Sequence, residues 1–151
     1  MAISQAMVTS FKVEILDGVH NFGVGVTRAS TAADTFKIAL YTSSATLSAA
    51  TTAYTTTDEV SSSGTNYTAG GQTLTVAQVP TSTGTTAWLD FADVTWASAT
   101  ITANGALIYN ATQSNKAVAV LAFGGDKTST AGDFTIQFPA ATSTTAILRI
   151  A

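Results

Sequence analysis

The sequence contains no cysteine, which excludes disulfide bonds and thiol chemistry. Charge is also scarce, since 10% of the residues are charged, where about 25% is typical of globular domains. The net charge is −3, and no run of Lys or Arg occurs. Nucleic-acid binding is therefore not expected, because it needs clustered cations. A chain with so few charges lacks the repulsion that keeps soluble monomers apart, so we expect it to pack against neighbouring chains.

Long apolar runs are absent as well. No stretch approaches the roughly 18 apolar residues of a membrane-spanning helix, so no membrane partner is expected. The N-terminal stretch MAISQAMVTSFKVEIL lacks the basic start, apolar block and small-residue cleavage site of a signal peptide.

Histidine occurs once, at His20 in the stretch DGVHNFG, three residues after Asp17. No Gly-x-Ser-x-Gly motif accompanies it, so we interpret His20 as a turn residue satisfied by backbone groups. Zinc ligands are essentially missing, and the stretch GGDKTSTAGD has two aspartates without the closely spaced oxygens of a calcium loop. We therefore predict a protein that is not an enzyme, with no catalytic, cofactor-binding or metal-binding residues and no cofactor.

Paired carboxylates could support glycoside hydrolysis. Asp58 and Glu59 are adjacent, which in a strand would point them to opposite faces. Asp90 and Asp93 lie near two tryptophans, but they are better interpreted as residues of strand ends or turns.

The length of 151 residues predicts a single domain, 1–151. In the N-terminal segment, 1–25, the residues Met7, Phe11 and Ile15 recur at helical spacing, although period-two alternation around Phe11 also fits a strand. We favour a short helix that ends near Gly18.

Residues 34–151 carry the pattern of a β-sandwich. Phe36, Ile38 and Leu40 occupy alternate positions of the stretch DTFKIALYTSS, which is typical of a half-buried strand. Short apolar segments follow later in the chain: ATITA, GALIYNA, KAVAVLAFG, DFTIQFP and AILRIA. Turn signals separate them, at 104–105, 114–115, 124–126, 131–133 and 139. This spacing predicts an all-β, antiparallel sandwich; a jelly roll and other Greek-key sandwiches share the pattern.

The stretch EVSSSGTNYTAGGQTLTV, residues 59–76, is rich in Ser, Thr and Gly. A phosphate-binding loop would need Lys after the last glycine, where this chain has Gln72. A flexible linker would lack anchors, whereas Val60, Tyr67 and Leu74 can each fix the segment to a core. We predict a structured surface loop with a tight turn at Gly70-Gly71.

Most of residues 34–151 resembles a group of small structural proteins of tailed bacteriophages. The segments that carry the resemblance are TFKIALYTSSATL, TAYTTTDEVSSSGTNYTAGGQTL, WLDFADVTWASATITANGALIYN, AVAVLAFGGDKTSTAGDFTIQFP and AILRIA. The most specific pieces are the stretch ending in YTAGG and the segment ALIYN before AVAVLAFG.

This resemblance implies a capsid decoration, or cement, protein with a jelly-roll-like fold, present on the capsid surface of the virion and made in the host cytoplasm. It implies the major capsid protein as partner and a homo-oligomer, with a trimer favoured. We expect the exposed loops within 42–72 and the chain end to contact the shell. A minor tail or fibre component is the alternative within this class.

Two other classes of function remain open. A carbohydrate-binding β-sandwich module could use Trp88, Trp96 and Tyr67 as stacking platforms, and exposure of the tryptophans would favour it. A small hydrolase would use His20 with Asp17.

Overall fold

The computed structural model describes residues 3–16, 19–24 and 33–150. Its elements within these ranges, in chain order, are β1 (Ala6–Met7), α1 (Thr9–Leu16), β2 (Phe36–Tyr41), β3 (Gln72–Thr73), β4 (Val76–Thr83), β5 (Thr86–Phe91), β6 (Val94–Asn110), β7 (Lys116–Ile136) and β8 (Leu148–Ile150).

The strands form two antiparallel sheets that pack against each other. The larger sheet has the order β1-β7-β6-β2-β3, and the smaller one has the order β4-β5-β8. Phe36 of the larger sheet and Phe91 of the smaller one lie 6.0 Å apart between ring centroids, in the buried core. The prediction of an all-β antiparallel sandwich with a short N-terminal helix is confirmed.

The helix is shorter than the apolar spacing indicated. Phe11 is buried and Ile15 packs against the core, as expected for the apolar face of α1. Met7 lies outside the helix, because it pairs with Ala119 at the edge of the larger sheet. The predicted stop near Gly18 and the predicted partner Asp17 lie outside the described residues.

Strand β2 is buried on both faces, where alternation indicated burial on one. Phe36, Ile38 and Leu40 are buried as predicted, but Ala39 and Tyr41 are also fully buried. The second face is covered because the segment between β2 and β3 folds back over it.

The apolar segments between residues 94 and 136 form only two strands. β6 has 17 residues and β7 has 21, and they pair along most of their length as a β-ribbon. Their connecting turn contains Ser114 and Asn115, which both have positive φ, so this turn signal is confirmed.

Three other predicted turns are wrong because they lie inside these strands. Gly105 belongs to β6, and a Cβ there would lie 2.6 Å from the carbonyl oxygen of Leu121, so glycine permits close strand approach. Gly124 and Gly125 have positive φ in a four-residue bulge of β7, and Ala131 has positive φ at a second shift of register. Bulges use the same backbone conformations as turns, which explains the error.

Candidate functional site

The Ser- and Gly-rich stretch is held by the carboxylate of Glu59. Its Oε1 accepts hydrogen bonds from the Tyr67 hydroxyl at 2.6 Å and from the Gly70 amide at 2.7 Å. Its Oε2 accepts a 2.7 Å hydrogen bond from the Tyr54 hydroxyl. The Tyr109 hydroxyl donates to the Gly70 carbonyl at 2.7 Å. We call Tyr54, Glu59, Tyr67, Gly70 and Tyr109 the Glu59 cluster.

Each tyrosine of the Glu59 cluster is held in its neutral form. Burial is the largest cause in every case, and the negative charge of Glu59 adds to it. The pKa of Tyr109 is raised to about 12, and the pKa values of Tyr54 and Tyr67 are raised further. The neutral hydroxyls of Tyr54 and Tyr67 donate to Glu59, and that of Tyr109 donates to the Gly70 carbonyl. These tyrosines are therefore structural donors at physiological pH and are poorly suited to act as bases.

Gly70 and Gly71 form the predicted tight turn, since both have positive φ and the Gly71 amide donates to the Thr68 carbonyl. A Cβ at Gly71 would lie 1.8 Å from the carbonyl oxygen of Ile38. Glycine is therefore required here by close contact with β2 as well as by backbone conformation. The anchors predicted at Val60, Tyr67 and Leu74 are all buried, which confirms a structured loop.

Asp58 and Glu59 make contacts in different parts of the loop. Asp58 has positive φ in a turn at 56–59, and its carbonyl accepts the amide of Thr42 at 3.0 Å, so this turn lies beside the end of β2. Both carboxylate oxygens of Glu59 are engaged by the hydrogen bonds of its cluster.

His20 packs into an aromatic cluster and contacts an amide side chain. Its ring centroid lies 4.8 Å from that of Phe11, and its Nδ1 lies 3.1 Å from Nδ2 of Asn110. The same Asn110 amide donates to Asp34 at 2.7 Å, and Asp34 also accepts the Asn21 amide. These hydrogen bonds join residues 19–24 to the end of β6. The geometry therefore fits a structural role for His20, although the contact with Asn110 is made through a side chain and not through the backbone.

Asp90 and Asp93 lie in different surroundings. Asp90 is buried, and its Oδ1 accepts the Phe91 amide at 2.9 Å. Burial is the largest cause and raises its pKa; hydrogen bonds from the Phe91 and Ile147 amides oppose this rise, and the charge of Asp93 adds a smaller increase. Asp93 accepts the Phe138 amide at the bend between β5 and β6. This arrangement agrees with the strand-end interpretation.

The aromatic rings proposed for sugar stacking are mostly inside the protein. Trp96 and Tyr67 are 2% and 3% exposed, and their centroids lie 6.0 Å apart. Trp88 is half-buried and lines an apolar cavity of about 180 Å³ beside α1, which Phe11 and His20 also line. Two of the three rings therefore present no face to a ligand.

Metal binding has no matching group of side chains in the described parts of the chain. No three His, Asp or Glu side chains among these residues are grouped so that they could hold a metal ion. Asp126 accepts the side-chain amide of Asn104 and Asp133 accepts the Ser98 amide, so both acidic residues of GGDKTSTAGD bond within the ribbon. No helix in the described ranges has the length and apolar character needed to cross a membrane.

The most distinctive surface is the half of the β6–β7 ribbon farthest from its turn, residues 94–103 and 127–136. One face is buried through Trp96, Ile101 and Phe134. The opposite face is exposed and carries hydroxyl pairs across the strands: Thr95 with Thr135 at 2.8 Å, and Thr102 with Thr128 at 3.1 Å. We call it the threonine face. In the sequence, the alternating threonines of TITA and the threonine of DFTIQF indicate one polar face of a strand. Which strands pair could not be inferred from the sequence.

A groove of about 590 Å³ runs beside the outer edge of β7. Apolar and polar side chains line it in equal numbers, among them Phe123, Phe138, Lys127 and Asp133. Neither Asp90 nor Asp93 lines it.

No protein-family model, curated protein or solved structure matches this chain.

Proposed function

We propose that this chain is a structural protein of a tailed bacteriophage particle, a capsid decoration protein that binds the outer surface of the head shell as an oligomer and stabilises it. Its partners are the major capsid protein and further copies of itself, with a trimer as the arrangement that the resemblance implies. Its place is the capsid surface of the virion, after synthesis in the host cytoplasm.

The observation that carries this proposal is the threonine face. It is an extended and exposed surface with few charges, and its threonine hydroxyls are paired across the two strands. Neutral hydroxyls and methyl groups can be buried in a contact without the cost of removing water from unpaired charges. Modest contacts of this kind become strong when a particle repeats them at many equivalent sites.

The carboxylates and the histidine support a role without catalysis. Glu59, Asp34 and His20 each act within the fold, through hydrogen bonds that hold a loop or a terminal segment in place. In a structural protein, charged and imidazole side chains of this kind stabilise the fold, and they do not need a cleft that admits a substrate.

Quantitative mass spectrometry of purified particles tests the proposal. A decoration protein should be present in a copy number that is a fixed fraction of the capsid-protein count, and cryo-electron microscopy should place it on the head. Density on the tail would instead support the minor tail or fibre role. Absence from particles, with the protein left in the lysate, would contradict both.

The expected contact between the loop within 42–72 and the capsid shell can be tested with a substitution that leaves the fold intact. Deleting residues 61–72 would remove Tyr67 and Gly71, which the fold needs. The tip at 61–64 is exposed, so Ser62→Glu should leave stability unchanged. Reduced head occupancy of S62E would place the tip in the shell contact, while unchanged occupancy would remove it.

A further inference from the structure

We draw no further inference here: the strongest candidate, the groove of about 590 Å³ beside the outer edge of β7, carries no proposal, because apolar and polar side chains line it in equal numbers and nothing in the structure shows what covers it.

Discussion

The loop after β2 and the outer edge of β7 are built from the same kinds of residue, but they differ in their hydrogen bonding. The loop is held by hydrogen bonds within the fold, whereas the outer edge of β7 has no partner strand among the described residues. In the loop, one carboxylate collects three donors, and the tyrosines that supply two of them are at least partly buried. Along β7, residues 127–136 have a partner strand on one side only among the described parts of the chain. The comparison shows that a composition of Ser, Thr, Ala and Gly does not decide whether a segment is hydrogen-bonded to the rest of the fold. The side chains that anchor the segment decide it.

The largest loss of stability should come from a substitution in the turn at Gly70-Gly71, where the loop contacts β2. Gly71→Ala should destabilise the fold by about 4 kcal/mol or more, because the new Cβ would overlap the Ile38 carbonyl. Gly64→Ala is the matched control, since φ is positive there too but no atom lies within 4 Å of the added Cβ. Strain alone should cost about 1–2 kcal/mol. Equal losses in urea unfolding would show that contact with β2 does not matter.

The second largest loss of stability should come from removal of the Glu59 carboxylate. Glu59→Ala should reduce the free energy of unfolding by about 2–4 kcal/mol, because it leaves buried donors without an acceptor. Glu59→Gln should cost less, since the amide oxygen can still accept from Tyr67 and Gly70. Asp126→Asn, a change at an exposed carboxylate, should alter stability by less than about 0.5 kcal/mol. Similar values for all three variants would contradict the role given to Glu59.

The tyrosines should make the fold sensitive to alkali. Their pKa values are raised in the folded state above the value of about 10 expected in the unfolded chain, to about 12 for Tyr109. A raised pKa means that folding retains the proton, so stability is intact below pH 10 and falls above it. Absorbance near 295 nm should therefore change together with unfolding, as followed by circular dichroism. Ionisation of all four tyrosines near pH 10 in a folded protein would contradict their burial.

A smaller effect is expected at Asp90. Its raised pKa means that the folded protein holds this proton more tightly than the unfolded chain does. Stability is therefore lost as the pH rises from about 4 through the folded pKa. Asp90→Asn should unfold at a higher urea concentration than the unmodified protein at pH 7, and the gain should vanish below about pH 4. Asp93→Asn is the control outside the core, and a matching gain there would exclude burial as the cause.

Local patterns allowed the strands and the loop anchors to be predicted, because alternation and isolated large side chains report burial directly. Tyr67 and Leu74 are examples, and so is the helix around Phe11. Long-range pairing could not be predicted. Nothing in the sequence joins Gly70 to Tyr109, or Thr95 to Thr135, since these contacts depend on how β6 pairs with its neighbours. The positive-φ residues of β7 also resemble turns, because a bulge and a turn need the same backbone.

Residue-resolved amide exchange tests the contrast between the loop and the outer edge of β7 most directly. The Thr100 amide, which bonds to the loop, should be protected. Amides on the outer side of 127–136, which have no partner strand among the described residues, should exchange faster than the Thr100 amide. Protection of these β7 amides equal to that of Thr100 would contradict this account.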